Sequence, residues 1–558
     1  MHSSCLAGQN TEVQPLISQD KAKGVRTFER ASDYSCSRWF VGRLPTLGTA
    51  VENLSHFRSK FSTAVPSSPP QFLLLKSQFT LHMLAFEGAT MLIDFSFSNF
   101  RSFRKLQQFT MERAEGLWNA DAPYSTVSAV YGGNAAGKSN FFAALTYVSR
   151  FVRKSFATAA DEPGTGRSPY RLDSSSQSEP SLFALRFSTE SAVEYKFEFS
   201  VDDKRVRHER LSRWDSSRPT KIFERSLDDS EKGFHVTYGK IFRGPRAIYE
   251  KALVENALLL SVMASAGNAI VAEAFDFLAY RIRAYDAAGY LAEMDEIALA
   301  MRDDPAKAKA IQLLVRSTDL GISRIEIDAG MQEQLFDRLN AAENGEKLRD
   351  FYEALVNLTQ DGLPDSDRST MIEQLMQRNP FSDAPAPRIA FGHDGEGGAV
   401  LFKQQDESKG TIAALSFLSV ALGNLSEQSL AVVDEIDSSL HPSVVRALVG
   451  LYNDPLTNPH GSQLVFTTHD VSLLMQAVDG EAAIAPDQFW IVEKRAGESE
   501  LYPATDFGLT DDENMARNYL NGQYGGVLHP RLREAFAQAL EIMEDSDGEG
   551  RRRVGSEE

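Results

Sequence analysis

The sequence predicts an α/β fold, a mixed sheet flanked by helices, with an inserted antiparallel β and helical lobe. Three features carry that expectation. A short apolar run at 126–131 leads through a glycine-rich turn into a helical run at 141–151. Two more apolar runs of strand length, 429–433 and 463–466, lie far downstream and lead into acidic and histidine residues. Between these halves, period-two alternation gives way to helical spacing.

The chain has 558 residues, 42% hydrophobic and 24% charged, with a formal net charge of −19. These values are ordinary for a folded protein and exclude collagen-like repeats, disorder throughout and a disulfide scaffold. No run of about 18 uncharged apolar residues occurs, so no membrane contact is expected; the nearest, 71–86, contains Lys76 and His82. Cys5 and Cys36 are the only cysteines. That usage points to a reducing compartment, the cytoplasm. The acidic balance argues against a protein that coats itself with nucleic acid, though a local basic patch for DNA stays open.

Residues 1–90 are serine-rich, slightly basic and without sustained period. They are expected to be a poorly ordered extension. Two origins are open: upstream sequence foreign to the native protein, or a genuine regulatory extension. From Met91 the pattern changes, and apolar and polar residues alternate from Ile93 as in a half-buried strand.

The turn after 126–131 reads Gly132, Gly133, Asn134, Ala135, Ala136, Gly137, Lys138, Ser139, Asn140. It has the form G-x-x-x-x-G-K-S. Glycines let successive N–H groups point at phosphate oxygens, and the following helix N-terminus adds partial positive charge. Lys138 would reach the β- and γ-phosphates, and the Ser139 hydroxyl would ligate Mg²⁺.

Runs at 181–187 and 193–199 alternate as antiparallel strands. Residues 249–264, 292–316 and 331–358 read as helical, without the sustained heptads of a long coiled-coil arm. The run 429–433 is a buried strand of the parallel kind and leads into Asp434 and Glu435. Asp434 would hold Mg²⁺, and Glu435 would polarise the attacking water as general base. The run 463–466 leads through two threonines to His469, expected at a neighbouring strand's C-terminal edge as a γ-phosphate sensor. Residues 511–517 look like an acidic helix start, and the charged tail from 545 should be disordered.

The order of these pieces, with Ser408-Lys409-Gly410-Thr411, Asp437 and the run 489–494, resembles the ATP-binding-cassette class of P-loop ATPases. Within that class it is similar to SMC and recombination-repair heads, and most similar to the bacterial AAA-type (ATP/GTP phosphatase) group that includes abortive-infection ATPases. The resemblance covers about 91–530. It implies Mg²⁺-dependent ATP hydrolysis in a homodimer formed on ATP. Ser408, Gly410 and Thr411 of one protomer would cap the partner's ATP. Asp437 would touch across the dimer, and Arg101 would approach the nucleotide. The implied use is a switch for a partner effector or DNA, in phage defence. A slow-hydrolysing nucleotide-sensing scaffold that gates a separate effector and a DNA-end-processing ATPase are the alternatives. No coupling glutamine is recognisable after Phe151, no ring-forming AAA motifs appear, and the absence of N-K-x-D favours ATP over GTP. The expected division is 1–90 extension, 91–185 first half of the head, 186–395 inserted lobe, 396–510 second half, 511–545 terminal helices and 546–558 tail.

Overall fold

The computed structural model describes residues 89–113, 123–214, 218–228, 233–318, 320–327, 388–476, 483–509, 513–527, 532–540 and 542–543. Strands β1 (Met91–Ser98) and β2 (Gln107–Thr110) form the first hairpin, followed by β3 (Val127–Tyr131) and helix α1 (Lys138–Lys154). An antiparallel series follows: β4 (Ser181–Ser188), β5 (Glu194–Val201), β6 (Val206–Trp214), β7 (Pro219–Asp228) and β8 (Gly233–Tyr238). Three short helices, α2 (Arg246–Ala252), α3 (Leu259–Ser265) and α4 (Ala269–Asp276), lead to β9 (Ile282–Tyr285). Then come α5 (Ala287–Asp303), α6 (Pro305–Arg316), β10 (Ile322–Ile327), β11 (Ile389–Gly395) and β12 (Gly398–Lys403). The rest is α7 (Lys409–Glu427), β13 (Leu430–Val433), α8 (Pro442–Asn453), β14 (Gln463–Thr467), β15 (Phe489–Arg495), β16 (Glu498–Pro503) and α9 (Met515–Leu520).

The central sheet runs β16-β15-β3-β14-β13-β9. Its strands are parallel except β16, which returns antiparallel to β15. The C-terminal ends of β3, β14 and β13 therefore open on one edge, where ligands of open α/β sheets bind. β14 lies between β3 and β13, so the glycine-rich turn and the acidic pair are separated by one strand.

Period-two alternation feeds a core on each face of this sheet. Val127, Ala129 and Tyr131 pack on one face with Phe417, Leu418, Val445 and Leu448 of α7 and α8. Val130 packs on the other with Phe141, Leu145 and Val148 of α1. A seven-stranded antiparallel sheet, β2-β1-β4-β5-β6-β7-β8, covers the far side of α1. There Phe95, Phe97, Phe183 and Phe199 join the α1 core, with Phe97 and Phe141 ring centroids 6.2 Å apart. Each fully buried phenylalanine contributes about 1.5–3 kcal/mol. Held between two sheets, α1 fixes where its N-terminus points. A third sheet, β10-β11-β12, packs with α5, α6 and the first turns of α7 through Ile325, Phe391, Met294, Ile311, Ile412 and Leu415.

Several expected boundaries move. The division at 185/186 falls inside β4, which pairs with β1. The antiparallel strands extend the first hairpin's sheet and form no separate insert, because β4 pairs along the edge of β1 that β2 leaves open. The division at 395/396 cuts the β11–β12 hairpin. Ala89 and Thr90 are already buried. The helical run 249–264 breaks because the carbonyls of Val254, Glu255 and Ala257 turn to the buried Arg225 guanidinium. The run 292–316 breaks at Asp304, whose carboxylate accepts from the N–H groups of Ala306 and Lys307 and caps α6 ahead of Pro305. The expectations for 1–88, 331–358, 511–512 and the tail 546–558 lie outside the described residues. Among the described residues no single helix is long and apolar enough to cross a membrane.

Candidate functional site

The glycine-rich turn is held by backbone shape. Gly132 has φ +154°, and a Cβ there would meet the Val492 carbonyl oxygen at 2.3 Å. Gly137, the residue before α1, has φ +125°, and a Cβ would meet the Ser499 hydroxyl at 2.6 Å. Side chains are excluded at both points, so the backbone alone faces the cradle. Ser499 clamps the turn from outside: its hydroxyl donates to the Ala136 carbonyl at 2.5 Å and bonds to the Ser102 hydroxyl at 2.8 Å.

One pocket of about 400 Å³ opens over this turn. Its lining is Asn134 through Asn140, Glu435, His469 and Lys494. Lys138 is buried, and its ammonium donates to the Gly132 carbonyl at 2.9 Å and meets His469 Nε2 at 2.7 Å. Burial lowers the Lys138 pKa, opposed by the carboxylates of Glu435, Asp434 and Asp437. Burial first, then the Lys138 charge, lowers the His469 pKa against the pull of Asp437 and Glu435. Both shifts disfavour a second charge beside the ammonium, in line with a Lys138 N–H directed at Nε2.

The acidic pair is positioned by β14. Thr467 donates its hydroxyl to Asp434 Oδ1 at 2.6 Å, and the Thr467 Oγ1 accepts the Glu435 N–H at 2.7 Å. The Thr467 carbonyl accepts from Ile436 N–H at 3.1 Å. Between these contacts Glu435 holds φ +53°, a left-handed conformation that costs a non-glycine residue about 1–3 kcal/mol. Strain of this size persists where neighbours over-determine it. Asp437 Oδ2 accepts the His469 N–H at 3.1 Å, which ties the two strand-end loops together.

Lys138, Ser139, Glu435 and His469 share the pocket, with Asn134–Asn140 beneath them. Asp434 stands beside it on Thr467. Gly132 and Gly133 form the base of the turn, and both carbonyls accept from Lys138. Arg101 lies on the turn after β1 and donates to Asn140 Oδ1 at 3.3 Å. Ser408, Gly410 and Thr411 lie outside the pocket. Ser408 caps α7 by accepting the Thr411 N–H at 3.0 Å, and Gly410 sits against the Ser439 carbonyl. Three participants were not foreseen: Lys494, Thr467 and the Ser102–Ser499 pair. The signal for Lys494 is the alternation Trp490, Val492, Lys494 along β15. The signal for Thr467 is its place at the end of an apolar run.

The donor set fits a magnesium nucleoside triphosphate. Mg²⁺ is commonly held by one or two protein oxygens plus substrate phosphates. Ser139 and Asp434 supply such oxygens, and among the described residues no cluster of three His, Cys, Asp or Glu forms a self-sufficient metal cage.

Residues 127–475 match the family described as AAA domain, putative AbiEii toxin, type IV toxin–antitoxin system. The chain belongs to this family. The resemblance to bacterial AAA-type ATPases with abortive-infection members is borne out, and the domain is a P-loop nucleoside triphosphatase. No curated protein matches the chain. Among solved structures it is similar to an SMC head bound to the C-winged helix domain of ScpA, with 13% identity, 74% of this chain and 96% of that one covered, and TM-score 0.32. The SMC head domain from Thermotoga maritima gives 14% identity, 74% and 98% coverage and TM-score 0.31. The recombination mediator protein RecF of the RecFOR pathway gives 12%, 75% and 99%, and 0.27.

Proposed function

We propose that this AAA-family protein is a Mg²⁺-dependent ATPase whose heads join on ATP and separate after hydrolysis. One observation carries the reading: Lys138, Glu435 and His469, from three parts of the sequence, line a single pocket over a glycine-rich turn. The turn amides and Lys138 bind the phosphate chain. Glu435, held out of the strand by Thr467, orients the attacking water, and His469 reads the γ-phosphate. Mg²⁺, held by Ser139 and Asp434, supplies positive charge to the phosphates when bound. Ser408, Gly410 and Thr411, at the N-terminus of α7, present N–H groups and hydroxyls to the nucleotide of a second copy. Asp437 touches across the dimer, and Arg101, beside Asn140 of its own turn, approaches the nucleotide. The biological role that follows is a cytoplasmic switch acting on a partner effector or DNA in phage defence, by analogy with the family's description.

The test is Glu435→Gln. The wild-type chain should hydrolyse ATP, and the variant should bind ATP, lose turnover and accumulate as a dimer in size-exclusion chromatography. A wild-type chain without turnover, matched by an unchanged variant, would replace the ATPase by a nucleotide-sensing scaffold.

A further inference from the structure

We propose that Lys494 binds the α- and β-phosphate end of the bound nucleoside triphosphate, as a second cation opposite the hydrolytic side of the pocket. The inference rests on the nucleotide-binding reading above and names a residue that reading does not use.

The first argument is register. β15 pairs with β3 up to Ile491 opposite Tyr131, where β3 ends and the glycine-rich turn begins. β15 then continues for four residues beside that turn, paired only with β16. Along it, Trp490 and Val492 face the core shared with α1. Lys494 is the next residue on the same face, because side chains repeat every second position. It is the first on that row to emerge at the N-terminal end of α1.

The second argument is its cross-strand partner. Lys494 pairs with Ser499. Directly opposed residues share a face, and the Ser499 hydroxyl touches the turn at the Ala136 carbonyl. The Lys494 side chain is therefore directed to the turn, and it lines the pocket there. Among the described residues it forms no ion pair, whereas its neighbours Glu493 and Arg495 pair with each other at 2.8 Å.

Strand order supplies the third. β15 flanks β3 on one side, and β14 and β13 lie on the other. His469 and Glu435 leave the ends of β14 and β13. A triphosphate whose γ-phosphate faces them lies with its α end toward β15. Lys494 is placed to meet oxygens that remain after hydrolysis.

The experiment is binding of fluorescent ATP and ADP analogues to wild type, Lys494→Ala and Lys494→Arg, with thermal melting to confirm folding. Lys494→Ala should weaken ATP and ADP equally, by about tenfold, as expected for one charge-assisted phosphate contact. Steady-state kinetics should show the loss in KM more than in kcat, and arginine should recover most of the affinity. Wild-type-like affinity of Lys494→Ala for both nucleotides overturns the proposal, and so does a loss confined to ATP, which would place the lysine on the γ-phosphate. No nucleotide binding by wild type removes the nucleotide reading itself, an outcome separate from the other two.

Discussion

Thr467→Val tests the idea that one hydroxyl positions both carboxylates of the site. Valine keeps the shape and removes the oxygen. The change deletes a bond to the Asp434 carboxylate and strands the Glu435 N–H. A hydrogen bond to a charged group contributes about 1.5–3 kcal/mol, and an unsatisfied buried donor costs about 1–3 kcal/mol. The site is only part-buried, so water replaces part of what is lost, and native stability should fall by about 1–2 kcal/mol. Turnover should fall as well, because Glu435 keeps its left-handed conformation only while its N–H is held. A misplacement of the order of 1 Å in a positioned group costs about a hundredfold in rate. Urea denaturation gives the first quantity. Steady-state ATP hydrolysis, titrated with Mg²⁺, gives the second, and the Mg²⁺ requirement should rise because Asp434 loses its orienting bond. Thr467→Ser should restore both. Turnover by Thr467→Val at the wild-type rate and Mg²⁺ requirement would refute the reasoning.

Lys138→Ala removes the buried cation of the turn, and nucleotide binding by isothermal titration should fall by at least a hundredfold, about 2.7 kcal/mol. Arg225→Met should cost about 3–5 kcal/mol in urea denaturation. Arg225 is fully buried, lies 3.8 Å from the equally buried Glu209, and satisfies the carbonyls of Ala257, Val254 and Glu255. Burial already pushes the Glu209 carboxyl up to about 7, so adding Glu209→Gln to Arg225→Met should recover part of the loss. His469 has a folded pKa below its ordinary 6.5. The unfolded chain then takes the proton first, so the stability His469 provides is present above about pH 6.5 and is lost as pH falls toward the folded value. Thermal midpoints between pH 7.5 and 5.5 should fall more steeply in wild type than in His469→Gln.

Much of the central sheet was legible because its strands are short, apolar and flanked by residues with one chemical use. The run before Gly132 and the runs before Asp434 and His469 could be placed on a common edge from sequence. The seven-stranded sheet was read as part of an insert for a physical reason. Alternation identifies a half-buried strand but not its neighbour, and β1 takes β4 as a partner across β2, β3 and α1. The helical run 249–264 had the right spacing and still broke. Its carbonyls satisfy Arg225, a buried cation on a strand whose need could not be read locally. Lys494 lies in the run 489–494 but has no role legible in the sequence, since its meaning depends on β15 running past the end of β3.

That overhang has a consequence for how the site is divided. β3 carries the turn, and in the proposed mechanism the residues on its β14 side (Thr467, His469, Asp434, Glu435) act on the bond to be broken. On its β15 side, Ser499 holds the turn, and Lys494 is proposed to hold what lies on it. A parallel sheet sends every strand end to one edge, so strand order becomes an order along the ligand. With β14 between β3 and β13, the acidic pair is held one strand away from Lys138, and Thr467, which pairs with Val130 of β3, bonds both members of the pair. Perturbations should therefore separate by side. Changes toward β13 should lower turnover at unchanged ADP affinity, whereas changes toward β15 should lower ATP and ADP affinity together. A site organised by side-chain identity alone, without regard to strand order, would show no such partition.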